Sequence, residues 1–219
     1  MNGEIIRLSV VDSTNIYTSK MLSQSGMNEW TTVVADHQTG GKGQRGRKWD
    51  SKIGDNILCS TLLKPTHLKS EQHFFISMVA SIAAQSTLLQ YGLQSKIKWP
   101  NDILVSKKKL AGILIENQIS KGYIDSSIVG FGLNVNQLEF SSYPWEASSM
   151  INLLGVPFDL DKVLETYRRE LKIAYELTFR PFDELYTRYS ASLFGINSEL
   201  TFSHGNTNVR GRLSGVDAS

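Results

Sequence analysis

The sequence is poor in the features of disulfide-stapled, membrane-spanning or polyanion-coating proteins. It holds one cysteine in 219 residues, so no disulfide can form within the chain, and this fits a reducing compartment. No apolar run approaches the roughly 20 residues that a bilayer-crossing helix needs. The N-terminus, Met1-Asn2-Gly3-Glu4-Ile5-Ile6-Arg7, lacks the charged-then-apolar order of a secretory signal. Together these absences predict a cytoplasmic protein with no membrane partner. The formal net charge is only +2, too little for a general nucleic-acid coat, so any basic patch is local and better suited to a small anion. The four histidines, His37, His67, His73 and His204, show no metal-ligand spacing, and none is read as catalytic. Internal repeats and low-complexity linkers are absent too.

What remains is an ordinary globular composition, 41% hydrophobic and 20% charged. Cys59 lies in the apolar run Ile57-Leu58-Cys59-Ser60-Thr61-Leu62-Leu63 and reads as a small core residue. Alternating apolar residues predict strands over 5–11, 31–36, 56–64, 96–99, 103–105, 110–118 and 123–130. Ser106-Lys107-Lys108 is the turn between the fifth and sixth of these. Asp12-Ser13-Thr14 supplies capping residues for a helix that ends near Gly26. Helical spacing of Phe74, Phe75, Met78, Val79, Ile82, Ala83 and Leu89 predicts a helix over 70–91, and further helices follow over 160–178 and from Pro181 to 194.

The densest chemical signal is Gly40-Gly41-Lys42-Gly43-Gln44-Arg45-Gly46-Arg47-Lys48-Trp49. Residues 40–48 hold four glycines and four cations. Glycine exposes backbone N–H groups and tolerates close approach, and arginine grips phosphates or carboxylates bidentately. With little apolar content to hold it still when empty, such a loop is expected to order around an anion; a solvated basic loop would have the same composition. Three more blocks follow at compact spacing: Lys98-Trp99-Pro100-Asn101-Asp102, then Lys107-Lys108-Lys109-Leu110-Ala111-Gly112-Ile113-Leu114-Ile115-Glu116, then Gly130-Phe131-Gly132-Leu133-Asn134-Val135-Asn136. Asp12-Ser13-Thr14-Asn15 precedes them. In this order the blocks resemble the biotin protein ligase family, the biotin–[acetyl-CoA-carboxylase] ligases, over nearly the whole chain from about Ser13.

The resemblance implies an α/β (α+β) fold, a mixed β-sheet backed by helices as in class II aminoacyl-tRNA synthetases. It implies ATP and biotin as substrates, Mg²⁺ with the nucleotide, and a biotin carboxyl carrier protein as acceptor. Lys109 would bridge the biotin carboxylate and the α-phosphate, while Arg45 and Arg47 would act with it on the phosphates. Ser13, Thr14, Asn15, Gln38, Gly41, Lys42, Gly43, Gly112 and Gly132 would surround biotin, although Ser13 and Thr14 equally suit a helix cap. Lys42, Gln44, Trp49, Asn101 and Asn134 would meet ATP or the adenylate, and Asp102 would hold the Mg²⁺. Trp99 would line the biotin pocket or the core. Gln44 stands where many members carry an arginine; loss of that charge would weaken retention of the adenylate unless Lys42 and Arg45 compensate.

The resemblance also divides the chain into a catalytic domain, 1–195, and the start of a small SH3-like β domain, 196–219. Glu199-Leu200-Thr201-Phe202 and the residues 209–217 read as two strands joined at His204-Gly205-Asn206. The chain stops before such a barrel could close, which leaves an edge at 213–216 exposed unless something covers it. Repressor members carry an N-terminal winged helix-turn-helix; the pattern here starts by residue 13, so DNA is not an expected partner. A homodimer through a sheet edge is compatible with the family. The rival function is a lipoate or octanoate ligase or transferase of the same fold, and beyond it a non-enzymatic nucleotide- or nucleic-acid-binding module.

Overall fold

The computed structural model describes residues 3–140, 146–204 and 207–216; the side chains of Arg45, Ser203 and His204 lie outside that description, as do Gly205, Asn206 and Asp217 of the expected tail. Seven strands form one sheet in the order β1-β2-β3-β7-β6-β5-β4. They are β1 (Ile5–Val11), β2 (Thr32–Gln38), β3 (Ile57–Leu63), β4 (Lys96–Lys98), β5 (Asp102–Val105), β6 (Lys108–Ser120) and β7 (Tyr123–Leu133). β1 runs parallel to β2, because helix α1 (Thr14–Ser25) carries the chain back between them, and every other pairing is antiparallel. The β5–β6 turn places Ser106 and Lys107 at φ 49° and 66°, the left-handed pair that a two-residue hairpin turn demands. This is the mixed, helix-backed sheet expected from the sequence.

The period-two alternation of the strands divides the sheet into two faces with different work. Ile57, Cys59 and Leu63 of β3 and Val129, Phe131 and Leu133 of β7 belong to the main core, with α2 (Phe74–Gln90), α4 (Leu160–Tyr175) and α5 (Phe182–Ala191) packed over them. Phe131 stacks on Tyr167 of α4 at 3.9 Å between ring centroids. On the opposite face Val33, Leu62 and Ile128 pack with Tyr17, Met21 and Leu22 of α1 in a smaller cluster. That helix covers only one end of its face. Leu58, Gly130 and Gly132, which alternate with the core residues, line a cavity over the rest, with Ser60 just behind them.

Cys59 is buried in the main core as expected, 1% exposed, and burial pushes its thiol up to about 12 despite the opposing field of Arg168. Native protein at pH 8.5 is therefore expected to resist iodoacetamide, and guanidinium-unfolded protein to react completely. Mass spectrometry of both samples checks this, and rapid native labelling would contradict the buried placement.

A short helix, α3 (Met150–Leu154), was not expected from periodicity; Ser149 caps it, accepting from the Asn152 N–H, and Gly155 closes it at φ 76°. At the tail, β8 (Glu199–His204) pairs with β9 (Thr207–Arg212). The second strand is shorter than the sequence suggested. Leu213 turns back to bridge Ile196, Val216 accepts from the Tyr186 hydroxyl at 2.7 Å, and both side chains pack against the main core. The edge at 213–216 is thus covered by the larger unit.

Candidate active site

The glycine loop is braced by its own backbone. Lys42 bridges Lys48, the Gly43 N–H donates to the Arg47 carbonyl at 2.7 Å, and the Trp49 N–H donates to the Gly41 carbonyl at 2.9 Å. A 3₁₀ turn, Gln44–Gly46, forms its tip. A small hairpin ladder and a tryptophan anchor brace the loop where apolar contacts are few. Behind the exit of the loop, Gln137 accepts from the Lys52 N–H and from Asn56 Nδ2, tying the loop to the end of β7.

Below the loop lies a cavity of about 490 Å³. Its floor is one cross-strand row, Leu58–Gly132–Gly112–Asp102–Lys98, read across β3, β7, β6, β5 and β4. The Trp49 ring rests on the two glycines of that row. A Cβ on Gly112 would lie 2.8 Å from the ring, and one on Gly132 2.6 Å from it. These glycines therefore make room for Trp49 in the first instance, where the sequence reading gave the room to the ligand. The Trp49 Nε1 is buried without a partner among the described residues.

Lys109 reaches the same floor by a backbone irregularity. Ile103 pairs with Ala111 while Leu104 pairs with Lys109, so β6 carries an extra residue, Leu110. Regular alternation would put Lys109 and Gly112 on opposite faces. The bulge restores Lys109 to the cavity side and leaves Leu110 and Ala111 both in the core. Its Nζ sits 2.6 Å from Asp102 Oδ1 and 5.4 Å from the Trp49 ring centroid. Lys98 completes the cluster: burial lowers its pKa, Asp102 opposes that shift, and Lys109 and Arg47 add to it. Two carboxylates, Asp102 and Asp50, thus share the wall with five cations, Lys42, Arg47, Lys48, Lys98 and Lys109, a surplus that favours an anionic guest.

The other end of the cavity is polar and uncharged. Gln38 Oε1 accepts from the Thr14 N–H at 2.7 Å and lies 3.1 Å from Thr14 Oγ1. Ser60 Oγ lies 2.7 Å from Thr14 Oγ1 and 2.6 Å from Asn15 Oδ1. Ser13 is the N-cap of α1 by position, yet its side chain makes no capping bond. Ser13 lines the cavity.

The structure brings together most of the residues singled out from the sequence. Ser13, Thr14, Asn15, Gln38, Lys42, Gly43, Gln44, Arg47, Trp49, Asn101, Asp102, Lys109, Gly112, Gly132 and Asn134 all line this cavity, and half-exposed Trp99 stands at its wall. Gly41 is buried behind the wall, where a Cβ would meet the Trp49 carbonyl oxygen at 2.5 Å. Arg45 belongs to the loop tip, and its side chain is outside the described residues. Asn101 donates to the Ile113 carbonyl at 2.9 Å, and Asn134 Nδ2 donates to the Ser148 carbonyl at 2.9 Å. Sequence reasoning passed over Lys48, Lys98 and Leu58 on the wall, and Ser60 just behind it. For Lys98 a signal existed, since it alternates with the core residue Ile97 and stands three positions before the motif's Asn101.

Comparison with known proteins agrees with this geometry. Residues 8–134 match the model of the biotin/lipoate A/B protein ligase family. The bifunctional ligase/repressor BirA of Bacillus spizizenii is 31% identical over 99% of this chain and 68% of its own length. The biotin–[acetyl-CoA-carboxylase] ligase of Paracoccus denitrificans is 33% identical over 58% of this chain and 53% of its own. Among solved structures, the biotin protein ligase from Aquifex aeolicus in complex with biotin and ATP superposes with a TM-score of 0.82 at 28% identity, covering 98% of this chain and 88% of that one. With the family model spanning more than half of its residues and a relative 31% identical over 99% of them, the chain belongs to the biotin/lipoate A/B protein ligase family.

Proposed function

We propose that the chain is an ATP-dependent biotin–protein ligase, which makes biotinyl-5′-adenylate and transfers the biotinyl group to a lysine of a biotin carboxyl carrier protein. One observation carries the reading: a single cavity has an uncharged polar end at Ser13, Thr14 and Gln38 and a cationic end at Lys109, Lys98 and Arg47. A bicyclic urea fits the first end, because hydroxyl and amide groups supply both donors and acceptors. A carboxylate and a triphosphate fit the second.

In the first step the biotin carboxylate oxygen attacks the α-phosphorus of ATP, the P–O bond to the β-phosphate breaks, and pyrophosphate leaves. Two anions must meet, so fixed positive charge is the main requirement. Lys109, held on the floor by the bulge, would touch both reacting groups. Arg47, Lys42 and the N–H groups of the glycine loop reach the phosphates from above, with Arg45 in the same loop. Trp49 offers a flat surface for adenine, and Asn134 offers its amide. Asp102 and Asn101 suit a Mg²⁺ that arrives with the nucleotide, since Mg²⁺ takes one or two protein oxygens and fills its shell with phosphates and water. Among the described residues no cluster of three His, Cys, Asp or Glu forms a stand-alone metal site. That ion supplies charge neutralisation; the positioning belongs to the chain. In the second step the acceptor amine attacks the anhydride carbonyl, AMP departs, and the amide forms with loss of a proton.

Pyrophosphate exchange into ATP, run with biotin and with lipoate side by side, tests the reading. Exchange that requires biotin is the expected result. Exchange with lipoate alone would keep the family and move the substrate to the rival, and exchange with neither would overturn the assigned activity.

A further inference from the structure

Lys109 is a long, flexible side chain mounted on an irregular strand. A bulge disrupts its ladder locally, so the strand alone is a poor mount. The missing support comes from residues 146–148. The Lys109 N–H donates to the Glu146 carbonyl at 2.9 Å, and the Lys109 carbonyl accepts from the Ser148 N–H at 3.0 Å. β7 leaves β6 after the Leu133–Ala111 pair, and this short segment, parallel to β6 at Ala147, takes its place. Asn134 is the junction between them. Its N–H donates to the Leu110 carbonyl at 2.9 Å, its carbonyl accepts from the Met150 N–H at 3.2 Å, and its Nδ2 donates to the Ser148 carbonyl at 2.9 Å. Asn134 and Ser148 are both buried. On the outer side an ion pair between Lys108 and Glu146, 2.6 Å apart, closes the same contact. Of the three residues in the segment, only Ala147 lines the cavity.

We propose that residues 146–148 are a backbone clamp for Lys109, latched by Asn134, and that Glu146 and Ser148 are positioning residues of the adenylation step. This inference rests on the biotin-ligase reading and deepens it. A fixed charge acts on two joining anions only if it is held to a fraction of an ångström, and a misplacement of about 1 Å can cost about 10²-fold. With Lys109 pinned at its N–H and its carbonyl, only the side-chain torsions remain free, and Asp102 and Trp49 restrict those. The clamp also ties the amine to the cavity wall. Ala147 and Asn134 both line that wall, so a displacement there passes directly to the Lys109 main chain. Glu146 and Ser148 lie off the cavity, so their effect on the reaction runs through the lysine.

The test is a double-mutant cycle on biotin-dependent pyrophosphate exchange. Ser148→Pro deletes the N–H that donates to Lys109, and it is measured alone and together with Lys109→Ala. At saturating ATP the single variant should lose about tenfold in kcat, the worth of one buried hydrogen bond. KM for biotin should stay within about twofold, because Ser13, Thr14 and Gln38 make no bond to the clamp. In the Lys109→Ala background the same substitution should cost less than about twofold, since the clamp then has no amine to place. Equal losses in the two backgrounds would mean a general disturbance of the wall and overturn the proposal, as would a single variant with the kcat of the wild type. If circular dichroism shows Ser148→Pro to be misfolded, the exposed ion pair decides. Glu146→Lys sets two like charges against each other and should lower kcat about threefold, the scale of an exposed pair, and adding Lys108→Glu should restore it. No loss, or no restoration, would overturn the proposal. Failure of the wild type to exchange with biotin would instead count against the ligase reading.

Discussion

Lys109→Ala is expected to lower biotin-dependent pyrophosphate exchange by roughly 10²–10³-fold, the usual loss when one preorganised charge is removed from a developing anion. The fall should appear mainly in kcat, because the amine meets both reacting anions at once only as they join. Geometry sharpens the expectation. The Lys109 side chain is 27% exposed and lies 2.6 Å from Asp102, whose side chain is 11% exposed. Its removal leaves a carboxylate facing the phosphates, which adds repulsion to the lost attraction. Lys98, opposite Asp102 in register, remains and keeps the local charge from inverting altogether. Far-ultraviolet circular dichroism should be unchanged, since the β5–β6 bulge is held by Leu110 and Ala111 in the core and not by the lysine. Exchange within about twofold of wild type would remove Lys109 from the centre of the mechanism.

The bulge marks where the sequence stopped being informative. Strands and helices were legible because burial imposes a period, and the period is written in the apolar residues. The run 110–118 was read as one strand, but periodicity carries no information on which residue sits in a bulge. Leu110 and Ala111 are both apolar, and their adjacency is the trace that the irregularity leaves. The full length of β6 was missed for a related reason: Ile119 and Ser120 extend the ladder through cross-strand pairing with exposed side chains, whereas β7 runs on through Phe131, Gly132 and Leu133 beyond the expected end at 130. Helix α3 has only five residues, too few to show a period, although Ser149 and Gly155 bracket it.

The candidate site divides in the same way. Residues with unusual backbone freedom or charge, the glycines of the loop and of β7 and Lys109 itself, stand out in a sequence. Ser60 does not, since serine in an apolar strand has nothing unusual about it. Its significance comes from contacts with α1 that only the folded chain makes. The reading of Gly112 as room for a ligand shows the same limit. The sequence says that a side chain is absent there, and the structure says that Trp49 fills the space.

That substitution of tenant leads to the second large effect, expected for Gly132→Ala. The added methyl would sit 2.6 Å from the Trp49 ring. The ring must lift from the floor. Overpacking of this kind costs about 1–3 kcal/mol, so kcat/KM for ATP should fall about ten- to a hundredfold if the strain falls on the nucleotide complex. Biotin affinity should change less, because Ser60 lies in the Gly130 row, one alternation away, with Thr14 and Gln38 bonded in series from it. The opposing explanation is a general disturbance of the sheet, and a second substitution separates the two. Trp49→Phe in the Gly132→Ala background shrinks the ring and relieves the clash. The double variant should therefore recover part of the ATP affinity, a coupling that independent sites do not show. A Gly132→Ala protein with an unaltered KM for ATP would mean that the floor of the cavity is not where the nucleotide reads the position of Trp49.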